Sequence, residues 1–230
     1  MNPNRREKRR TATLGEIRAI AWKQIGEMGA ASLSLRGIAR EMGMTAPGLY
    51  RYYKDRDALV TALLIDGFTT FSHALEAGRD SCAASDYTGR FRAMCKAYFL
   101  WAAQNPQKYA LLFGTPIPGY LFAEELGPVA QHSFLILQGV IGTAYMAGKI
   151  KLPLTARPLP DLLNAHYEVL TKMGMPHTPI VTHMALSAWS MIHGITSLYL
   201  QQYLSSFLQE HVEVFVDFEI GKLARTLGFA

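Results

Sequence analysis

Residues 34 to 53 read Ser34-Leu-Arg-Gly-Ile-Ala-Arg-Glu-Met-Gly-Met-Thr-Ala-Pro-Gly-Leu-Tyr-Arg-Tyr-Tyr53, and this stretch decides the fold. Leu35, Ile38, Ala39 and Met42 recur at the spacing that puts them on one side of a short helix. Gly43 turns left-handed without a Cβ clash and ends that helix. Thr45 offers a hydroxyl to cap the next helix. Pro47 is tolerated because it falls in the first turn, where the backbone N–H has no intrahelical partner. Leu49 and Tyr53 complete the inward seam, leaving Thr45, Ala46, Pro47, Gly48, Tyr50, Arg51 and Tyr52 to face outward. Two short helices joined by a glycine turn, the second with a free face, make a helix-turn-helix, a shape that fits the major groove of DNA.

Upstream, Thr13 and Glu16 have the spacing of a capping box, and Leu14, Ile17, Ala21, Ile25 and Met28 follow at helical intervals toward a stop at Gly29. Before it, Arg5-Arg6-Glu7-Lys8-Arg9-Arg10 is a charge run without periodicity and reads as a flexible basic arm over residues 1–10. Downstream, Asp55 is placed to cap a longer helix over about residues 56–78, carrying Leu59, Leu63, Phe68 and Phe71. Helices are then expected at about 86–104, 107–113 and 128–149, a short one over 161–173 in a proline-rich stretch, and long apolar ones at about 180–205 and 210–227. No segment alternates apolar and polar residues as a half-buried strand does, so the expected class is all-α. The expected organisation is the arm, a helix-turn-helix domain over 11–65, and a larger helical domain over 66–230.

Charge follows this division. Residues 1–60 hold 12 Lys and Arg against 6 Asp and Glu, so the net charge of +5 comes from one end of the chain. A basic head on a near-neutral body suits a polyanion partner, because neutralising phosphates releases counterions. Mean hydropathy is +0.07 and no unbroken apolar run approaches the length of a membrane span, so no membrane partner is expected and a cytoplasmic location is. Cys82 and Cys95 are too few for a disulfide framework and wrongly spaced for a zinc ribbon.

Beyond these patterns, Gly48-Leu49-Tyr50-Arg51-Tyr52-Tyr53 followed by Lys54-Asp55-Arg56-Asp57-Ala58-Leu59 resembles the Leu-Tyr-x-His-Phe and Lys-x-Lys-x-x-Leu signature of the TetR family of bacterial regulators, and the likeness spans about residues 11–65. The resemblance implies that Arg36, Thr45, Tyr50, Tyr52 and Lys54 or Arg56 contact phosphates, while Arg51 and the small residues Ala46, Pro47 and Gly48 approach base edges. Ala46 offers only a methyl and Gly48 no side chain, so base reading should lean on Arg51 and on DNA shape. The basic arm should touch the backbone or an adjacent minor groove, or serve only as a solubilising tail.

Trp189-Ser-Met-Ile-His193-Gly194 and Asn105-Pro-Gln-Lys-Tyr-Ala-Leu-Leu-Phe-Gly114 are similar to a subclass of TetR C-terminal domains marked by a Trp and a His-Gly pair. That likeness implies a homodimer formed through the last two long helices, bound to a double-stranded, imperfectly palindromic operator. Two apolar stripes agree with it: Val181, Met184, Ala185, Ala188, Ile192, Ile195 and Tyr199, and beside them Leu186, Trp189, His193 and Leu200. It also implies a small, largely apolar effector in a cavity lined by Tyr98, Trp101, Tyr109, Phe113, Tyr120, Phe134, Trp189 and His193, residues that would serve equally as ordinary core. The family default is repression, with activation or metal response as alternatives.

Other classes find less support. The seven histidines form no HExxH, and no His-Cys array has zinc-finger spacing. No GxSxG, Walker A or dinucleotide glycine loop occurs, so neither a catalytic site nor a cofactor is expected. A helical adaptor that binds another protein would lack a use for the basic head.

Overall fold

The structure, a computed structural model, describes residues 3–151, 167–168, 171–172 and 178–229. The elements in order are α1 (Pro3–Met28), α2 (Leu35–Glu41), α3 (Ala46–Tyr50), α4 (Arg56–Asp80), α5 (Tyr87–Gln104), α6 (Pro106–Phe113), α7 (Leu126–Met146), α8 (Pro179–Leu200), α9 (Tyr203–Leu208) and α10 (Val212–Thr226). Single 3-10 turns lie at Ala30–Ser32 and Gln209–His211. Among the described residues the only extended pairing is an isolated antiparallel bridge of Ile150 with Phe229, so the fold is all-α. The helix expected over 161–173 falls largely outside the described residues.

Side-chain caps start the helices where the sequence places them. The Gly37 N–H donates to Ser34 Oγ at 3.2 Å ahead of α2, and Gly48 N–H to Thr45 Oγ1 at 3.3 Å ahead of α3. Ala58 N–H donates to Asp55 Oδ1 at 2.7 Å and Gly89 N–H to Asp86 Oδ1 at 2.8 Å. Each bond satisfies a first-turn donor that would otherwise lack an intrahelical acceptor, and each contributes about 0.5–2 kcal/mol.

Two expectations are corrected. The first helix does not begin at Thr13: α1 runs back to Pro3, so residues 5–10 are helical rather than an irregular arm. Nothing between Pro3 and Thr13 breaks a helix, and the Thr13 hydroxyl, instead of capping, donates back to the Arg9 carbonyl at 3.0 Å. The helix expected over 180–205 is cut at Leu200, because Gln202 adopts φ 64°, a left-handed backbone that no helix interior accommodates. A short α9 follows, and Gln209 at φ 49° precedes α10.

The chain forms two compact units, Met1–Phe68 with Asn105–Val129, and Thr69–Gln104 with Ala130–Ala230. Residues 105–129 thus group with the helix-turn-helix, although the sequence reading assigned them to the 66–230 body. In that first unit α6 lies against α1. Gly26 leaves room for Gln107, whose Cγ would sit 3.2 Å from an added Cβ, and Lys108 Nζ lies 5.5 Å from the Trp22 ring centre while pairing with Asp66 Oδ2 at 3.2 Å. The core of this unit includes Ile17, Ala21, Ile25, Leu35, Ile38, Leu49, Leu59, Leu63 and Phe68.

The second unit is built around α4 from Thr69, α5, α7, α8 and α10. Phe91, Met94, Phe99, Leu137, Ile141, Val181, Ala185, Ala188, Ile192, Val216 and Ile220 are buried there. Its α4 and α5 approach closely at Gly78, where an added Cβ would lie 2.6 Å from Ala97 Cβ and 2.8 Å from the Ala93 carbonyl oxygen. The chain end folds back: the Lys151 N–H donates to the Gly228 carbonyl at 2.9 Å, and Phe229 stacks on Phe91 with centroids 4.8 Å apart. By composition α4 is long and apolar enough to cross a membrane, yet Leu59, Val60, Leu63, Leu64, Phe68, Phe71 and Leu75 are all buried in the protein. Cys82 is partly exposed after α4. Cys95 is buried on α5, and burial pushes its thiol up to about 12.

Candidate nucleic-acid interface

The seam of the helix-turn-helix is apolar and shut. Leu35, Ile38, Ala39, Leu49 and Tyr53 are buried and Met42 is half-buried. Burying such side chains contributes on the order of 1.5–3 kcal/mol each, which fixes α3 against α2. Gly43 sits between them at φ 65°, the left-handed turn that a side chain would strain. The Ser34 N–H donates to Oε1 of the buried Gln24 at 3.3 Å, tying the entry of α2 to α1.

With the seam closed, the outer face carries the residues expected on it. Arg36, Thr45, Pro47, Tyr50, Arg51 and Lys54 are exposed, and Ala46, Gly48 and Tyr52 are half-exposed. Arg40, on the same short helix as Arg36, is also exposed and was not singled out from sequence. The nearby acids are occupied: Glu41 Oε1 pairs with Lys23 Nζ at 2.7 Å, and Asp55 caps α4. The free charge on this surface is therefore cationic. Arg10 Cζ sits 5.4 Å from the Tyr52 ring centre, so the basic first turns of α1 reach the flank of the helix-turn-helix.

Arg56 stands apart. Its Nη2 donates to the carbonyl oxygens of Ala30 and Ala31 at 3.0 and 3.2 Å, closing the turn that follows α1. Of the two alternatives for the phosphate contact, Lys54 is the exposed one, with its Nζ 4.0 Å from Asp55 Oδ2.

The eight aromatic and histidine candidates for an effector cavity divide between the two units. Five lie in the second unit and form a connected chain. Phe71 meets Tyr98 edge-on at 4.8 Å and Trp101 at 4.9 Å, and the Tyr98 hydroxyl is hydrogen-bonded to His193 Nδ1 at 2.9 Å. His193 lies 5.9 Å from Trp189, and Trp189 lies 6.0 Å from Phe134. Burial holds the His193 imidazole below its ordinary value. The other three, Tyr109, Phe113 and Tyr120, are in the first unit. Phe113 packs on Tyr109 and on Phe68, and the Tyr120 hydroxyl bonds Thr61 Oγ1 at 2.9 Å.

Comparison with known proteins gives the same reading. Residues 17–63 match the family model described as bacterial regulatory proteins, tetR family, and residues 91–223 match the one described as tetracyclin repressor-like, C-terminal domain. The chain is 31% identical over 185 residues to the HTH-type transcriptional regulator Rv1816 of Mycobacterium tuberculosis, covering 80% of this chain and 78% of that protein. It is similar to the crystal structure of a regulatory protein, SCO4313, at a TM-score of 0.74 and 32% identity, over 94% of this chain and 97% of that one. The fold is shared with AibR, solved in complex with isovaleryl coenzyme A and operator DNA, at a TM-score of 0.56 and 19% identity, over 90% and 97% of the two chains. These relatives are regulators of transcription and not enzymes. The buried seam, the cationic outer face and both family matches make this chain a member of the TetR family of transcriptional regulators, with its helix-turn-helix as the DNA-binding element.

Proposed function

We propose that this protein is a homodimeric, cytoplasmic repressor that binds an imperfect palindrome and leaves it when a small effector occupies the second unit. The carrying observation is the outer face of α3, where Arg51 stands exposed among Thr45, Ala46, Pro47 and Gly48. Arg51 reads a base edge, and Arg36, Thr45, Tyr50, Tyr52 and Lys54 hold phosphates.

The twofold contact is supported by apolar residues that the second unit leaves uncovered. Val214 and Phe218 are 68% and 61% exposed on α10. Four residues apart, they share one helix face. Tyr203 and Phe207 do the same on α9, and Leu198 is exposed near the end of α8. Apolar groups exposed in this number mark an association surface, and a second copy would cover them. The Tyr98–His193–Trp189–Phe134 chain supports an apolar effector with one polar anchor, and α4 is the continuous element through which occupancy shifts the spacing of two recognition helices. Such shifts need only about 1–3 kcal/mol of differential affinity.

Mapping the genomic DNA retained by the purified protein tests the reading. Enrichment of one twofold-related sequence is expected; uniform retention of all sequences at every salt concentration would remove it. Deleting residues 1–10 should weaken binding to operator and random DNA alike and flatten the salt dependence, as loss of phosphate contacts does. An unchanged slope would show that the basic turns of α1 do not touch DNA.

A further inference from the structure

The second unit holds an open cleft of about 450 Å3, apart from the aromatic chain, lined by residues of α4, α5 and α7 and by Ala84 between the first two. Leu135, Ile136 and Val140 give it an apolar wall from α7, and Arg79 and Arg90 stand in it from α4 and α5. The volume is that of an ordinary small-molecule site.

Its polar wall is built around Arg79 and Arg90. Arg79 donates from Nε and Nη2 to the Asp80 carboxylate at 2.7 and 2.6 Å, and Arg90 Nη2 donates to the same carboxylate at 3.1 Å. Two guanidiniums share one acid. The Arg79 and Arg90 donors hold Asp80 below the usual carboxylate range, so it stays ionised at neutral pH. Arg90 Nε is buried and donates to no acceptor. Buried guanidinium donors are ordinarily satisfied, and this one is not. Glu76 Oε1 and His132 Nε2, also in the wall, are joined at 3.2 Å.

We propose that this cleft binds a small amphipathic carboxylate, its compact apolar body against Leu135, Ile136 and Val140 and its carboxylate oxygen accepting from Arg90. The planar carboxylate suits the guanidinium fork better than a neutral or cationic head. The assignment deepens the effector reading above and depends on it only for the consequence at DNA, since it gives the effector a chemical class and a place of its own in the second unit.

Calorimetric titration of the full chain with 4-phenylbutyrate, 4-phenylbutanol and 4-phenylbutylamine tests it, because the three share one apolar body and differ in head charge. The acid is expected to bind at least about ten-fold tighter than the other two, with Arg90→Gln removing that preference and Val140→Trp blocking all three by filling the apolar wall. Equal affinities for acid and alcohol, an unaltered preference in Arg90→Gln, or no binding of the acid at millimolar concentration would overturn it. Thermal melts check that each variant folds; if Arg90→Gln does not, Val140→Trp and the head-group series still decide. Operator retention followed in parallel separates the two readings. Binding of the acid through Arg90 without operator release keeps the cleft and removes its regulatory role. Release by neutral compounds, undiminished in Arg90→Gln, keeps the effector reading and removes the cleft.

Discussion

Arg51 is flanked by side chains that say little to a base: Ala46 has a methyl, Gly48 has nothing, and Pro47 has no donor. Arg51→Ala is therefore expected to lower operator affinity by about 1–3 kcal/mol and to relax preference at one base position, read by competition binding against single-base operator variants. Equal losses on operator and random DNA would make it a phosphate contact instead. His193 carries a pH prediction. Its folded-state proton affinity is depressed by burial, so unfolding takes up protons; its contribution is complete above the ordinary value of 6.5 and is lost as pH falls below it. Thermal melts should drop from pH 7.5 to pH 5.5, and His193→Gln should reduce that drop. At this scale the sequence was legible where contacts are local. The seam from Leu35 to Tyr53 follows from helical spacing, whereas Arg56 closing the turn at Ala30 and Ala31 joins residues some 25 positions apart, and no local pattern reports such a bond.

The helices whose ends carry Ser, Thr or Asp caps were readable to within a residue or two, because the cap and the start of an apolar stripe lie side by side in sequence. Two ends were not. The backward extension of α1 to Pro3 lacks an apolar stripe, so periodicity was silent there although nothing forbade a helix. The break after Leu200 has neither glycine nor proline, and only the backbone of Gln202 reveals it. The close passage of α4 over α5 was equally hidden, since a glycine within an apolar helix does not announce its neighbour. Gly78→Ala places a methyl against Ala97 and the Ala93 carbonyl, and overpacking of this kind should cost about 1–3 kcal/mol in chemical denaturation. A gain in stability, as expected of an exposed glycine in a helix, would mean that the two helices separate without cost.

For the whole molecule, the sequence conveyed a basic head on a neutral helical body, but not which aromatics stand together. Five of the eight effector candidates are joined in one unit, and the other three follow α6 into the other unit. Along α10, Val212, Val216 and Leu223 are buried inside the second unit, leaving Val214 and Phe218 outside. Phe218→Glu should convert dimer to monomer in analytical ultracentrifugation and weaken operator binding while leaving the helical signal intact. A dimer that persists would place the contact elsewhere. The two cysteines have a practical consequence. Cys82 is partly exposed, while Cys95 is enclosed and its thiol is protonated throughout the neutral range. An alkylating dye at neutral pH will therefore mark one position per native chain, at the end of α4, and mark the second only when the protein opens globally. The count of labels per chain then becomes a clock for unfolding, with no engineered reporter.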